Sequence, residues 1–201
     1  MIKIENYAVS GFEHAIRGMR NPMNSWERFD SEFDGTIEIG QNDHALMMSL
    51  AKGGAVHAKY RRMINVYADV TAPLYWWKEF DTYKIGTVAN SCSTMHKIHS
   101  RDLTLEDFSV EHLNQHEECV MDYIIRCLNE DRQSYIETKN KDYWWQMIQL
   151  LPASYNQKRT VMLNYEVLTN IYISRKNHKL DEWHEFCGWI ERLPCSEVIT
   201  G

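Results

Sequence analysis

One segment of the sequence carries polar side chains at intervals that suit a binding surface on a helix. It reads NYEVLTNIYISR and sets Asn164, Asn170 and Arg175 among apolar residues at helical spacing. Asn164 and Arg175 are eleven residues apart, which corresponds to about three helical turns. Such a helix can present amide groups at one place and a guanidinium at another. Because arginine stays protonated, Arg175 can stabilise a neighbouring anion.

The same three residues also have purely structural interpretations. Asn164 suits the N-cap of the helix, and Arg175 suits its C-terminus, where a cation complements the helix dipole. Asn170 suits an exposed polar position. The sequence leaves these alternatives open, and a capping role for Asn164 is compatible with a binding role.

Histidines offer a second chemistry, which is metal binding. His112 and His116 lie four residues apart on a predicted helix, with Glu117 and Cys119 nearby, so the two imidazoles share one helix face. The order His-Glu-x-x-His is missing, and no third ligand stands at a fixed spacing. We therefore predict surface histidines and no metal site.

Composition limits the class of protein and of partner. The chain has 201 residues with 44% hydrophobic side chains, enough for one domain with a sizeable core. A formal net charge of −6 argues against a nucleic-acid-binding protein but is compatible with a small anionic ligand. No Gly-x-Gly-x-x-Gly or Walker-type loop is present, so we do not expect a classical dinucleotide-binding fold.

The cysteines and the apolar segments indicate the compartment. The five cysteines are odd in number and form no Cys-x-x-Cys pair. The N-terminus lacks the apolar run of a signal peptide, and no segment approaches the ~20 apolar residues that span a bilayer. We expect a cytoplasmic protein with free thiols and no membrane partner.

The pattern of elements predicts an α+β fold: a single domain over residues 1–201, with a small mixed or antiparallel sheet packed against several helices. The expected strands are 2–9, 36–39, 56–70 and 159–163. The expected helices are 11–20, 42–52, 74–86, 105–130, 132–151, 165–175 and 181–193, with a loop at 87–100. The buried stripe of the helix over 105–130 is expected to include Phe108, Leu113, Cys119, Val120, Ile124 and Leu128.

Two pairs of adjacent tryptophans, Trp76-Trp77 and Trp144-Trp145, are predicted to serve packing. Neighbouring residues on a helix point about 100° apart. One ring of each pair is therefore expected to face a second surface, such as a subunit interface.

Three segments together resemble the flavin-dependent thymidylate synthases. Residues 50–73 suit the family's helix ending in glycine, its strand and its Ala-Pro helix start. Residues 74–97 stand where the family has its signature, Arg-His-Arg followed by Asn-Glu and Ser. In residues 152–175, Leu-Pro, a strand and then Asn-x-x-x-Leu-x-Asn-x-x-x-x-Arg recur at the family's spacing. The resemblance extends over roughly residues 42–190, except for an unlike segment near 100–140.

The resemblance implies a homotetramer that holds FAD at its subunit junctions. It implies reductive methylation of dUMP to dTMP, with methylenetetrahydrofolate as carbon donor and NAD(P)H as reductant. In the family no protein cysteine attacks the pyrimidine.

Carried over residue by residue, the resemblance makes Arg175 the catalytic residue. Counted without gaps, Arg-His-Arg falls on Thr82, Tyr83 and Lys84, and the family Ser falls on Cys92. A shift of two residues instead places Asn90 on the family Asn and Ser93 near its Ser, and both registers remain open. The implied cofactor-binding residues are Thr82, Tyr83, Lys84, Asn90, Asn164, Glu166 and Asn170. The implied substrate-binding residues are Glu79, Cys92, Ser93, Thr94 and Arg175.

The sequence departs from the family in its cations. Two of the three signature cations are missing, and Ile148 stands where the family has a nucleotide-gripping arginine. Each lost charge-assisted contact removes about 1.5–3 kcal/mol, so a phosphate needs replacement cations. The candidates are Lys59, Arg61, Arg62, Lys158 and Arg159. Two alternatives therefore stay open: a relative that acts on another pyrimidine nucleotide, and a non-catalytic oligomeric nucleotide-binding module.

Overall fold

The computed structural model describes residues 1–201 and contains four strands and nine helices. The strands are β1 (Lys3–Ser10), β2 (Asn65–Pro73), β3 (Val88–Ser91) and β4 (Asn156–Asn164). The helices are α1 (Phe12–Arg20), α2 (Gln41–Lys52), α3 (Leu74–Phe80), α4 (Thr94–Lys97), α5 (Gln115–Thr138), α6 (Lys141–Leu150), α7 (Tyr165–Arg175), α8 (Asp181–Ile190) and α9 (Glu197–Thr200).

The four strands form one sheet in the order β1-β2-β4-β3. The central strands β2 and β4 run antiparallel, as the backbone bonds at their ends show. The Tyr165 amide donates to the Ile64 carbonyl at 3.0 Å, and the Leu74 amide donates to the Tyr155 carbonyl at 3.0 Å. The predicted α+β class with a small antiparallel sheet is confirmed.

The chain divides into two compact units. The first unit comprises residues 1–3, 70–82 and 90–159, and the second comprises residues 4–69, 83–89 and 160–201. A single domain over 1–201 therefore stays a prediction.

The first unit has a core built largely on the hairpin of α5 and α6. Its buried residues are Ile98, Leu103, Phe108, Met121, Ile125, Leu128 and Met147. Lys139 ends α5 in a left-handed conformation with φ 57°, and the Asn140 side chain caps α6 by accepting from the Asp142 amide. This cap splits the region 132–151, which the sequence predicted as one continuous helix.

The second unit packs α7 against α8 and α9. Tyr165, Leu168 and Ile171 of α7 are buried, as are Trp183 and Phe186 of α8. A buried ion pair fixes the start of α2: Arg20 Nε donates to Asp43 Oδ1 at 2.8 Å. The Asp30 carboxylate accepts from the Asn42 and Asp43 amides, and so caps α2 from outside the helix.

Two predicted strands differ from the structure. The strand expected at 56–70 begins only at Asn65, because Lys59–Arg62 form a 3-10 turn that buries Tyr60 and Arg61. The strand expected at 36–39 reduces to a single bridge between Glu32 and Glu38. Both segments have strand-like composition, but their backbone lacks a neighbouring strand to pair with.

The predicted helix boundaries differ from the structure in two places. Helix α3 ends at Phe80 rather than near Gly86, and the loop expected at 87–100 contains β3 and α4. Helix α5 begins at Gln115 because Asn114 and Glu117 form a reciprocal capping box.

The buried stripe of α5 differs from the prediction by about one position. Met121, Ile125 and Leu128 are buried, whereas Cys119 and Val120 are exposed. The predicted stripe followed the densest apolar residues, but the side chains that face the core of the first unit are set by its packing.

The tryptophan pairs behave differently from one another. Trp76 and Trp77 are both fully buried, so the expectation that one of these rings faces a second surface is wrong. In the other pair, Trp144 donates to the Met95 carbonyl at 3.0 Å, and Trp145 is 48% exposed.

All five cysteines are free thiols. None of the helices combines the length and apolarity needed to cross a bilayer. No group of three or more His, Cys, Asp or Glu side chains is arranged to hold a metal ion.

Candidate functional site

Helix α7 forms where the spacing of its residues predicts it. The Asn164 Oδ1 atom accepts from the Val167 amide at 3.0 Å, so Asn164 is the N-cap. Val167, Leu168 and Ile171 lie on the buried side, and the helix ends at Arg175. The predicted bounds 165–175 are confirmed at both ends.

The Arg175 side chain is held by aromatic residues at the end of α7. Its Nε atom donates to the Tyr83 hydroxyl at 3.0 Å. Its Cζ atom lies 4.9 Å from the centre of the Trp183 ring and 5.7 Å from the centre of the Tyr83 ring. Cation–π contacts contribute about 0.5–1 kcal/mol at exposed sites and more when desolvated. The half-buried guanidinium is therefore fixed in orientation by two rings and one hydrogen bond.

The ring of Trp183 is itself rigidly held. It is fully buried and makes edge contacts with Tyr83 at 6.3 Å and with Phe186 at 5.8 Å between ring centres. Sequence reasoning missed the contact of Trp183 with Arg175. An aromatic residue eight positions after Arg175 is not by itself a signal.

The loop 83–89 lies along α7. Gly86 has φ 79°, and a Cβ added there would lie 2.9 Å from Asn164 Nδ2 and 3.1 Å from Val167 Cγ2. Glycine alone permits both this conformation and this approach. Tyr83 thus contacts the C-terminal end of α7, and Gly86 contacts its N-terminal end.

Glu166, on the first turn of α7, faces Arg61. The Arg61 Nη1 and Glu166 Oε2 atoms are 3.8 Å apart, and both side chains are largely buried. Arg61 Nε and Glu166 Oε2 have no hydrogen-bond partner within the chain. Leaving such a group unsatisfied costs about 1–3 kcal/mol, so this pair retains one donor and one acceptor for a further group.

Lys84 and Asn170 complete the candidates in the second unit, and both are exposed. Asn170 stands in the middle of α7 with its side chain on the open face. The structure thus brings Tyr83, Asn164, Glu166, Asn170 and Arg175 onto or against one helix.

A pocket of about 250 Å³ lies in the first unit. Its wall includes Cys92, Ser93, Thr94, Lys97, Arg101 and Lys158. The Gln157 amide of β4 positions the first three, because its Nε2 atom donates to the Cys92 carbonyl at 2.9 Å and to Thr94 Oγ1 at 3.2 Å. Three predicted substrate-binding residues therefore meet in one cavity.

An ion pair stiffens the rim of this pocket. Arg101 Nη1 donates to Asp107 Oδ2 at 2.8 Å, and Arg101 Nη2 contacts the other carboxylate oxygen. Burial opposes ionisation of Asp107, but hydrogen bonds from Arg101 and Thr104 outweigh it and hold its pKa below the ordinary value. Burial, assisted by the Asp107 charge, raises the pKa of the Tyr155 hydroxyl on the pocket wall.

Three further candidates lie in the first unit outside this pocket. Thr82 donates its hydroxyl to the Glu79 carbonyl at 2.7 Å, which satisfies a carbonyl at the end of α3. Glu79 is half-buried on α3, and Asn90 is exposed on β3. The structure does not bring Glu79, Thr82 or Asn90 into the pocket with Cys92.

The candidate replacement cations have separate roles. Arg159 lies 4.2 Å over the Trp77 ring and donates to Asp81 at 2.8 Å. Arg61 is buried beside Glu166, whereas Lys158 lines the pocket. Sequence reasoning missed Lys97 and Arg101, which line the pocket and stand at no position of the quoted motif.

Comparisons with known proteins identify solved structures that have the same fold. The sequence matches no protein-family model and no curated protein. Thymidylate synthase X from Helicobacter pylori, solved with FAD and dUMP, is 16% identical with a TM-score of 0.68, covering 99% of this chain and 95% of that chain. A second structure, the flavin-dependent thymidylate synthase from Helicobacter pylori complexed with FAD and dUMP, is 16% identical to this chain with a TM-score of 0.66. The match covers 99% of this chain and 96% of that chain.

A UMP/dUMP methylase from Streptomyces cacaoi bound to 5-bromo-UMP has the same fold. It is 14% identical with a TM-score of 0.64, and the match covers 100% of this chain and 94% of that chain. Identity this low speaks for the fold alone. The resemblance to flavin-dependent thymidylate synthases is confirmed at that level.

Proposed function

We propose that this chain, which has the fold of the flavin-dependent thymidylate synthases, is an FAD-dependent enzyme that methylates a pyrimidine nucleotide. The observation that carries the proposal is the Arg175 guanidinium, which Tyr83 and Trp183 hold in one orientation at the end of α7. A cation that needs no reorganisation stabilises developing negative charge more effectively than a mobile one.

The residues around α7 fit a flavin. Glu166 Oε2 is buried and lacks a hydrogen-bond donor, and a flavin offers ring N–H and ribityl O–H donors. The exposed Asn170 amide offers a donor and an acceptor to a ring edge. When bound, FAD would supply the hydride of a reductive methylation.

The chemistry of methyl transfer to a pyrimidine explains the need for Arg175. Carbon C5 of the ring becomes nucleophilic as negative charge spreads onto the ring oxygens. Arg175 would stabilise that charge electrostatically without exchanging a proton, because a guanidinium stays protonated. No cysteine nucleophile is required.

The finer parts of the proposal follow the resemblance. The substrate is dUMP, the carbon donor is methylenetetrahydrofolate, the reductant is NAD(P)H, and the assembly is a homotetramer. A second candidate is a related pyrimidine nucleotide such as UMP. The altered signature is the reason to test it, since the Thr82 hydroxyl donates to the Glu79 carbonyl and Ile148 stands where the family has an arginine.

Replacing Arg175 tests the proposed role. We expect Arg175→Ala to lower kcat by about 10²–10³-fold, measured as tritium release from dUMP labelled at C5, or from UMP similarly labelled. Arg192→Ala removes an exposed arginine of the same unit and should leave turnover unchanged. Wild-type turnover in Arg175→Ala, with correct folding, would remove Arg175 from the mechanism.

A further inference from the structure

We propose that helix α5 carries an interface on which a second copy of this chain docks, with its own α5 antiparallel to the first. The contact surface, here called the α5 seam, consists of His116, Val120, Tyr123, Cys127 and Glu130. None of these residues is among those expected to bind FAD or the nucleotide. Helix α5 also lies in the segment near 100–140 that is unlike the family, so the seam is independent of the proposed function.

Helix α5 has two apolar stripes, and only one of them is buried within the chain. Met121, Ile125 and Leu128 face the core of the first unit. Val120 and Tyr123 lie on the other side of the helix and are 48% and 59% exposed. Large apolar side chains that are exposed together mark an interaction site, whereas single ones need no explanation. The exposed stripe also explains why the sequence analysis placed Val120 in the core.

The α5 seam has the spacing by which two helices pack side by side. Its residues follow one another at intervals of four, three, four and three positions. This alternation keeps a stripe of side chains facing a neighbouring helix. From His116 to Glu130 the seam is about 21 Å long, and it lies within one uninterrupted helix.

The charges on the seam favour an antiparallel copy of the same helix. His116 and Glu130 stand at its two ends, each seven residues from Tyr123. When a second α5 runs antiparallel with the two-fold axis beside Tyr123, His116 of each copy faces Glu130 of the other. Val120 then faces Cys127, and the two Tyr123 rings face each other. A parallel arrangement would set Glu130 against Glu130, and like charges across an interface are unfavourable.

The Tyr123 side chain is held in place by its own helix. Arg126 Cζ lies 5.7 Å from the centre of the Tyr123 ring, and a hydrogen bond with the Cys127 thiol raises the pKa of the Tyr123 hydroxyl. Burying a side chain that is already held costs less conformational entropy than burying a mobile one. Tyrosine is also among the residues that contribute most at the centre of protein interfaces. Tyr123 therefore suits the middle of the seam.

An open groove between α5 and α6 borders the seam. Asp131, Gln146, Gln149 and Leu150 line this groove, and its volume is about 380 Å³. Asp131 is four residues after Cys127, so the two side chains are neighbours on the helix surface. Leu150 is 40% exposed. A helix docked on the seam therefore lies next to α6 and can contact it as well as α5.

Sedimentation velocity of the full chain over a range of concentrations tests the contact. We expect Tyr123→Glu to lower the weight-average mass by about twofold, because it sets two carboxylates against each other at the two-fold axis. Gln133→Glu adds the same charge at an exposed position of α5 outside the seam and should leave the mass unchanged. A wild-type mass in Tyr123→Glu, or a wild type that stays monomeric at every concentration, would overturn the inference.

Exchanging the charges at the ends of the seam tests the antiparallel direction. His116→Glu and Glu130→Arg should each weaken the association, because each removes the opposite partner at both ends. The double variant should restore it, since each new carboxylate then faces a new guanidinium. In a parallel pair each new side chain would face its own like. Two weakened single variants without restoration in the double variant would therefore overturn the antiparallel contact.

Flavin content and turnover separate the seam from the subunit junctions of the proposed function. We expect Tyr123→Glu to retain both, because α5 holds none of the residues assigned to that site. Loss of flavin together with loss of mass would overturn the assignment of a separate interface. Association that depends on the seam, in a protein that neither holds flavin nor transfers a methyl group, would support the interface and refute the proposed function.

Discussion

The contacts of Arg175 with Tyr83 and Trp183 hold its guanidinium in one orientation, as the proposed catalytic role requires. The planar guanidinium matches the geometry of ring stacking, and its Nε–H fixes the remaining rotation through the Tyr83 hydroxyl. In the ungapped register, Tyr83 occupies the position of the family histidine. The phenol oxygen offers a hydrogen-bond acceptor to the Arg175 Nε–H there.

Removing the Tyr83 hydroxyl tests this interaction. Tyr83→Phe keeps the ring over Arg175 but deletes the acceptor of its Nε–H. We expect kcat to fall by about tenfold, the equivalent of about 1.4 kcal/mol, with KM for the nucleotide and the flavin content unchanged. Steady-state kinetics over a range of nucleotide concentrations separates kcat from KM.

Tyr172→Phe is the matched control for Tyr83→Phe. It deletes a hydroxyl that donates to Glu191 at 2.7 Å, on the same helix as Arg175. If both variants retain full kcat, Tyr83 does not position Arg175.

At the scale of elements, the loop 83–89 packs against α7 at both ends of the helix. Gly86 lets the loop approach the capped start of the helix, while Tyr83 reaches its end. The loop is thereby held along most of the helix length. Any residue with a Cβ at position 86 would separate the two.

The stability of Gly86→Ala measures this contact. A positive φ costs an L-residue about 1–2 kcal/mol, and the added methyl also lies 2.9 Å from Asn164 Nδ2. Gly35→Ala is the control, because Gly35 has φ 80° and nothing within 4 Å of the added Cβ. Urea unfolding should show a larger loss of free energy for Gly86→Ala than for Gly35→Ala. Equal losses would show that the loop does not pack against α7.

How far the sequence predicts each element depends on where its determining contacts lie. The bounds of α7 are predictable because Asn164 caps it locally and its apolar residues repeat every three or four positions. The start of β2 is not predictable from local sequence, because it depends on the buried 3-10 turn at Lys59–Arg62. The cap of α2 is not predictable either, because it is Asp30, eleven residues before Gln41. Tertiary contacts of this kind leave no local pattern.

The residues of the candidate site also fall into those that local spacing predicts and those that tertiary contacts position. Asn164, Asn170 and Arg175 are found through spacing within one helix. Trp183 and Lys97 reach their positions through chain packing that no local spacing encodes. The sequence therefore predicts the helix that carries the site better than the residues that surround it.

At the scale of the whole molecule, the fold is retained while the sequence has diverged far from the solved structures of the same fold. Sixteen per cent identity accompanies a TM-score of 0.68 over 99% of this chain. Packing tolerates such substitution when volume and patterning are kept, whereas a charged site does not. The TM-score therefore speaks for the packing, and the residues of the altered signature need a test of their own.

The absorption spectrum of the purified full-length protein tests the central claim most directly. The account predicts a yellow protein with the visible bands of an oxidised flavin, which heat denaturation releases as FAD. If the protein is colourless, added FAD should restore the bands and raise the melting temperature. A colourless protein that neither takes up FAD nor gains thermal stability from it would contradict the account.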